Sequence, residues 1–266
     1  MLAIQFLILG LIQGLTETIP VSSSGHLMII KRLLNANINY DAIAIMTNFG
    51  SLVAIIVLFW PDIKKIFLDF FRFLTTKDAN SKENYEYAWM IALGCIPAGI
   101  MGLIISKLDL FVKIENNIKI VGISLIITAI LLFIVRNFKG KKDYTQLNFR
   151  EALVVGCFQI LGLFPGISRS GSTIVGGMVA GLKRETAFNY SFMLYIPLSL
   201  AAMALELTDI TISKALIPFY LFAALIAGIA TYIVTKWFRK IVIKGKLVYF
   251  SIYCLIVGIL VLIFLK

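Results

Sequence analysis

The sequence predicts an all-α integral membrane protein: six transmembrane helices plus two re-entrant helix–loop–helix hairpins, arranged as an inverted-topology repeat. Three observations predict it. The 266 residues are 60% hydrophobic and only 15% charged, with a mean hydropathy of +0.94; soluble domains carry about 25% charged residues. Six apolar runs approach the roughly 20 residues that cross a bilayer. Two further apolar stretches are interrupted by Pro, Gly, Ser and ionisable residues, and one of them heads each half of the chain.

The six runs are 42–60, 88–106, 118–135, 187–206, 216–235 and 247–265. Residues 1–30 are broken by Gln13, Glu17, Pro20, three serines and His26, and residues 152–182 by Gln159, Pro165, Gly166, Ser168, Arg169 and Ser170. Such backbone cannot face lipid, because its polar groups would go unsatisfied. Each stretch is therefore expected to fold back on itself, buried against protein.

Charge sets the orientation. The net charge is +11. Arg136, Lys139, Lys141, Lys142 and Arg150 crowd loop 136–151, and Lys236, Arg239, Lys240, Lys244 and Lys246 crowd loop 236–246. Both loops are expected in the cytoplasm. Loop 61–87 joins them, with an amphipathic stretch around Ile63–Leu74. Walking outward places 31–41, 107–117, 207–215 and both termini outside. One hairpin plus three spans (1–135) then precedes another hairpin plus three spans (152–266). Three is odd, so the second half is inverted and the two hairpin tips meet near the midplane. The whole chain, 1–266, is one membrane domain.

Other classes are disfavoured. No nucleic-acid motif accompanies the basic charge, so nucleic acid is not an expected partner. Cys95, Cys157 and Cys254 lie in apolar runs without C-x-x-C spacing, and no zinc-type spacing occurs. Met1–Ile19 lacks a basic n-region and carries Glu17, which argues against a removable signal peptide. Trp60, Trp89 and Trp237 sit at span ends as interface anchors, and Glu206 at a span end is expected to reach water.

The chemistry gathers at the tips, since ionisable residues inside a membrane are costly. In the first tip, Gln13 and Glu17 are four apart and share a helix face. His26, the lone histidine, follows Ser22, Ser23 and Ser24. That juxtaposition suits an activated hydroxyl nucleophile or a general acid. Spacing by itself favours a plainer role, with the serines as helix caps and His26 as a structural hydrogen-bonding group. The second tip, Pro165–Thr173, shifts the balance: Arg169 stands among Ser168, Ser170, Ser172 and Thr173 where a half-helix begins. Free N–H groups, the positive helix end and a guanidinium make an anion site that suits phosphate. A pairing of Arg169 with Glu17 that holds the tips together is compatible with this. Glu17 and Gln13 also offer hard oxygen ligands for Mg²⁺ or Ca²⁺. Asn48 either lines the site or bonds across helices.

The two tips carry a resemblance. Gln13, Glu17 and Pro20-Val-Ser-Ser-Ser-Gly-His26, with Pro165-Gly-Ile-Ser-Arg-Ser-Gly-Ser-Thr173, resemble the two motifs of the bacterial undecaprenyl-diphosphate phosphatases of the UppP/BacA type. Gly50-Ser51 and Gly94-Cys-Ile-Pro97 extend the likeness along the chain. Thr18 stands where the family usually has an aromatic residue, and Asn48 where glutamine is expected. The resemblance implies hydrolysis of undecaprenyl diphosphate to undecaprenyl phosphate and inorganic phosphate, which recycles the lipid carrier of cell-wall synthesis. It implies a divalent cation, a place in the bacterial cell (inner) membrane, a site opening outward, and resistance to bacitracin. It makes Glu17, Ser23, His26, Ser168, Arg169 and Thr173 the functional residues. Together with the reading of the tips, the expected catalytic residues are Ser23, His26, Glu17 and Arg169, and the expected substrate-binding residues are Ser22, Asn48, Ser168, Arg169, Ser170 and Thr173. The expected partner is a polyprenyl diphosphate lipid, and a homodimer is compatible with the sequence. A transporter or flippase of an anionic lipid or solute is the competing reading, since inverted repeats with broken helices suit alternating access.

Overall fold

A computed structural model describes residues 2–34, 39–108, 117–206 and 213–265. Of the outer connections predicted at 31–41, 107–117 and 207–215, residues 35–38, 109–116 and 207–212 lie outside the described residues. Among the described residues the chain is all-helical, without a β-strand. The helices are α1 (Leu2–Thr16), α2 (Ser23–Leu34), α3 (Tyr40–Leu58), α4 (Trp60–Thr76), α5 (Lys82–Lys107), α6 (Ile118–Val135), α7 (Phe149–Leu161), α8 (Arg169–Val179), α9 (Arg184–Glu206), α10 (Ile217–Ile243) and α11 (Val248–Phe264). The helices α3, α5, α6, α9 and α10 are long and apolar enough to cross a membrane. The sixth apolar run is α11, of 17 residues.

The helix α6 explains why lipid is the required solvent. It is apolar all round. Val121, Leu125, Ala129 and Leu132 are buried against neighbours, while Ile123, Ile127, Ile130 and Phe133 are exposed on the opposite side. A helix in water would carry polar residues on that outer face. The same outward apolar pattern recurs on α10 at Leu221, Leu225, Ile229 and Ile233.

Two ends differ from the expected spans. The helix α5 starts at Lys82 rather than 88, and α10 runs to Ile243 rather than 235. Lys236, Arg239 and Lys240 are good helix formers whose long stems extend to water. Nothing breaks α10 before Gly245, which has φ +72°. The amphipathic stretch is α4, which turns off α3 at Phe59 and buries none of its residues.

One end of the bundle is basic and tied together. Lys141 and Lys142 donate backbone N–H groups to Gly181, and Lys183 donates to Lys142. Lys142 also pairs with the buried Glu151 at 2.6 Å, and Glu151 closes a capping box with Asn148 at the start of α7. Arg184 donates to the Arg136 carbonyl at 3.2 Å.

The packing places the two broken stretches in matching surroundings. The helix α1 packs on α10, α7 packs on α5, and α6 packs on α11. In the first stretch α1 and α2 are joined through 17–22; in the second α7 and α8 are joined through 162–168. Each joint holds one residue in the left-handed region, Ser22 at φ 67° and Gly166 at φ 88°. The two joints touch. A Cβ on Gly25 would lie 3.1 Å from the Gly166 Cα, and one on Gly171 would lie 3.0 Å from the Pro20 Cβ. Gly166 has no substitute, because a side chain there would also meet the α6 backbone at Val121.

Candidate active site

Glu17 extends α1 by one residue, its N–H bonded to the Gln13 carbonyl at 2.9 Å. This keeps Gln13 and Glu17 on one face, and Gln13 Nε2 donates to Glu17 Oε2 at 2.7 Å. The chain then turns back through Pro20 and the left-handed Ser22. As a result, Ser23 opens α2 directly over the carboxylate, and its hydroxyl donates to Glu17 Oε2 at 2.6 Å. Ser22 Oγ accepts the Gly25 N–H at 3.3 Å, which caps the first turn of α2.

The second joint delivers the cation. Ser168 caps α8 by accepting the Gly171 N–H at 3.1 Å, and its own N–H donates to Thr128 Oγ1 on α6 at 3.2 Å. Arg169 is the first residue of α8. Its Nη2 donates to Glu17 Oε1 at 2.8 Å, and the two side chains are only 20% and 8% exposed. The guanidinium lies 3.8 Å from the ring centre of Tyr195, a cation–π contact. The Tyr195 hydroxyl donates to Asn48 Oδ1 at 3.0 Å.

These groups line a cavity of about 390 Å³. Gln13, Glu17, Ser22, Ser23, Asn48, Ser168, Arg169 and Ser170 all border it. So does Glu206, which the sequence reading assigned only to water. The lining also includes Ala44 and Ile45 in the first half of α3 and Glu206 at the end of α9.

Two expected site residues lie elsewhere. Thr173 is fully buried behind the cavity, bonded to Ser191 Oγ and to the Arg169 carbonyl. It holds the first turn of α8 in place. His26 does not border the cavity. Its Nδ1 is 2.9 Å from the Ser22 carbonyl and its Nε2 is 2.7 Å from the Tyr253 hydroxyl. Its ring stacks on Tyr253, with centres 5.6 Å apart. Both nitrogens are thus occupied between α2 and α11, and the hydrogen-bond acceptor at the Ser23 hydroxyl is Glu17. Sequence reasoning missed Tyr195, Ser191 and Tyr253, because nothing marks a tyrosine or serine inside a long apolar run.

A carboxylate on a serine hydroxyl, an arginine on that carboxylate, and hydroxyls with a helix start around one cavity are groups suited to an oxygen nucleophile and to an anion. The family described as "Bacitracin resistance protein BacA" matches residues 6–260. This chain belongs to that family. Among BacA-type relatives, a Bacillus licheniformis protein named "Undecaprenyl-diphosphatase 1" is 41% identical over 98% of this chain and 97% of its own length. A Bacillus thuringiensis protein named "Undecaprenyl-diphosphatase 2" is 42% identical over 98% and 97%. A protein of Oceanobacillus iheyensis named "Undecaprenyl-diphosphatase" is 39% identical over 98% and 96%. The two BacA-type motifs of this chain are the two joints that meet at the cavity.

Proposed function

We propose that this chain hydrolyses undecaprenyl diphosphate to undecaprenyl phosphate and inorganic phosphate at the cavity between the two joints. The observation that carries the reading is the Ser23 hydroxyl donating to Glu17 while Glu17 rests on Arg169. Full-length relatives named undecaprenyl-diphosphatase supply the substrate class.

In this mechanism Arg169, Ser168, Ser170 and the free N–H groups at the start of α8 hold the diphosphate. Ser23 Oγ attacks the terminal phosphorus and gives its proton to Glu17. The bond to the bridging oxygen breaks, and undecaprenyl phosphate leaves with the electron pair. Glu17 releases its proton to solvent and then accepts one from the water that opens the phosphoserine. Inorganic phosphate departs, and Ser23 regains its proton. As phosphate enters, Arg169 moves its charge from Glu17 to the ligand and frees the carboxylate to act as base.

The donor set suits a hard cation. Among the described residues no three His, Cys, Asp or Glu side chains cluster, but Glu17, Gln13 and Glu206 border the same cavity. Mg²⁺ is commonly held by one or two carboxylates together with substrate phosphates. Glu17, with the side-chain amide oxygen of Gln13, would hold Mg²⁺ or Ca²⁺. When bound, the cation neutralises diphosphate charge.

The same reading makes the chain a six-span protein of the bacterial cell membrane with two re-entrant hairpins, as an inverted repeat over 1–135 and 152–266. The exchange of packing partners between α1–α10 and α7–α5 supports it. With the basic end inside, the cavity mouth opens outward.

The test is inorganic phosphate release from purified protein given a polyprenyl diphosphate, in Mg²⁺, Ca²⁺ or EDTA. Wild type is expected to release phosphate with metal and to lose activity in EDTA. Arg169→Ala is expected to lose about 10²–10³ in rate. No release from folded protein that binds the lipid would replace the phosphatase with a transporter.

A further inference from the structure

The basic end of the bundle contains a second cavity, of about 180 Å³, that shares no residue with the catalytic one. It lies between the start of α4, the start of α5, the start of α9 and Tyr144. Its polar walls are Asp62, Lys65, Asn84, Tyr87, Tyr144 and Asn189. The helix α9 starts at this cavity and ends at Glu206 on the catalytic one, so the two sites occupy opposite ends of the same helix.

Three features of this cavity are unmet. Asp62 and Lys65, three residues apart on α4, border it with opposite charges. Among the described residues neither forms an ion pair. The Asn189 Oδ1 is buried and accepts no hydrogen bond. A buried acceptor left open costs free energy unless something supplies a donor.

The cavity also adjoins an apolar groove. Ile66 and Met193 border both it and an apolar groove of about 450 Å³. Phe67, Phe70, Trp89 and Ile196 line that groove. A polar chamber beside an apolar trough matches a headgroup followed by tails.

We propose that this is a binding site for a glycerophospholipid with a primary-amine zwitterionic headgroup, taken from the leaflet at the basic end of the bundle. The ammonium donates to Asp62 and to Asn189 Oδ1. The phosphate accepts from Lys65 and a tyrosine hydroxyl. The tails follow α4 along the groove. Charge complementarity selects this occupant: a diphosphate lipid would meet Asp62, with Asp69 behind it on Asn84 at 2.6 Å, and an anionic headgroup would leave both Asp62 and Asn189 unsatisfied.

The test is lipid retention by native mass spectrometry. Detergent-purified protein is titrated with phosphatidylethanolamine, phosphatidylcholine and phosphatidylglycerol carrying identical tails. Loss of one charge-assisted hydrogen bond corresponds to about ten-fold in affinity. Wild type is therefore expected to hold the ethanolamine lipid about ten-fold more tightly than the choline lipid, whose methylated nitrogen cannot donate. Asp62→Asn and Asn189→Leu are each expected to erase that preference while keeping the thermal midpoint and phosphate release of wild type. Equal retention of all three lipids, or a preference that survives Asp62→Asn, would overturn the proposal in favour of ordinary annular lipid. Displacement of bound lipid by tail-free glycerophosphoethanolamine at equal concentration would overturn it in favour of a soluble solute.

Discussion

Glu17 meets three partners through two oxygens. Gln13 and Ser23 share Oε2, and Arg169 holds Oε1. The arrangement surrounds a buried carboxylate with three donors and sets one hydroxyl directly on it. Ser23→Ala is expected to lower kcat by at least about 10³-fold, because removing the nucleophile leaves only binding and electrostatics. Rapid quench of wild type is expected to trap a phosphate mass on Ser23. Its absence, with Glu17→Gln still inactive, would assign the attack to water. His26 carries a different expectation. Tyr253→Phe removes only the hydroxyl that meets Nε2. It is expected to lower the thermal midpoint and to leave kcat within about three-fold, whereas a proton carrier would cost about 10²–10⁴. A loss of that larger size would return His26 to the proton path.

Each joint works because a short helix ends where another begins. Ser168 shows the local logic: it caps α8 with its hydroxyl and anchors to α6 with its N–H, so Arg169 emerges in one direction. Long helices supply the frame that holds the joints. The helices α3 and α10 approach closely at Gly50, where an added Cβ would lie 1.9 Å from the Ala224 carbonyl oxygen. Small residues permit such approach where no hydrophobic drive from water operates. Gly50→Ala must separate the two backbones and is expected to cost about 1–3 kcal/mol. Thermal unfolding in detergent checks this. An unchanged midpoint would mean that the contact is slack. Asn48, two residues away, would shift with α3, so Gly50→Ala is also expected to raise KM.

At the scale of the molecule, charge and cavity point the same way. The candidate cavity is lined by residues in the first half of α3 and at the end of α9, and the basic loop 136–151 is tied to the start of α9 at the other end. A single cysteine at Asn117, in a chain with the three native cysteines replaced, is expected to react with a membrane-impermeant maleimide added outside intact cells. One at Lys141 is expected to react only after permeabilisation. The opposite pattern would place the catalytic mouth in the cytoplasm and reverse the orientation.

The sequence by itself determined the helical class, the six long apolar runs, the two interrupted stretches and the residues that carry charge into them. Hydropathy and period are local properties, and an ionised group inside an apolar run is visible without coordinates. The same reading put Gln13, Glu17, Ser23 and Arg169 together, because each sits in a motif whose composition makes no sense facing lipid. Only the tertiary structure decided which hydroxyl meets Glu17, that His26 turns to Tyr253, and that Tyr195 lies beneath Arg169. The His26–Tyr253 contact joins residues 227 positions apart, and the Glu17–Arg169 pair that brings the two joints together spans 152. Side-chain direction at a left-handed joint is set by packing against other helices, which no local pattern encodes. The helices α5 and α10 extend beyond their apolar runs, because polar residues such as Lys82 and Lys240 are good helix formers and α10 continues until Gly245.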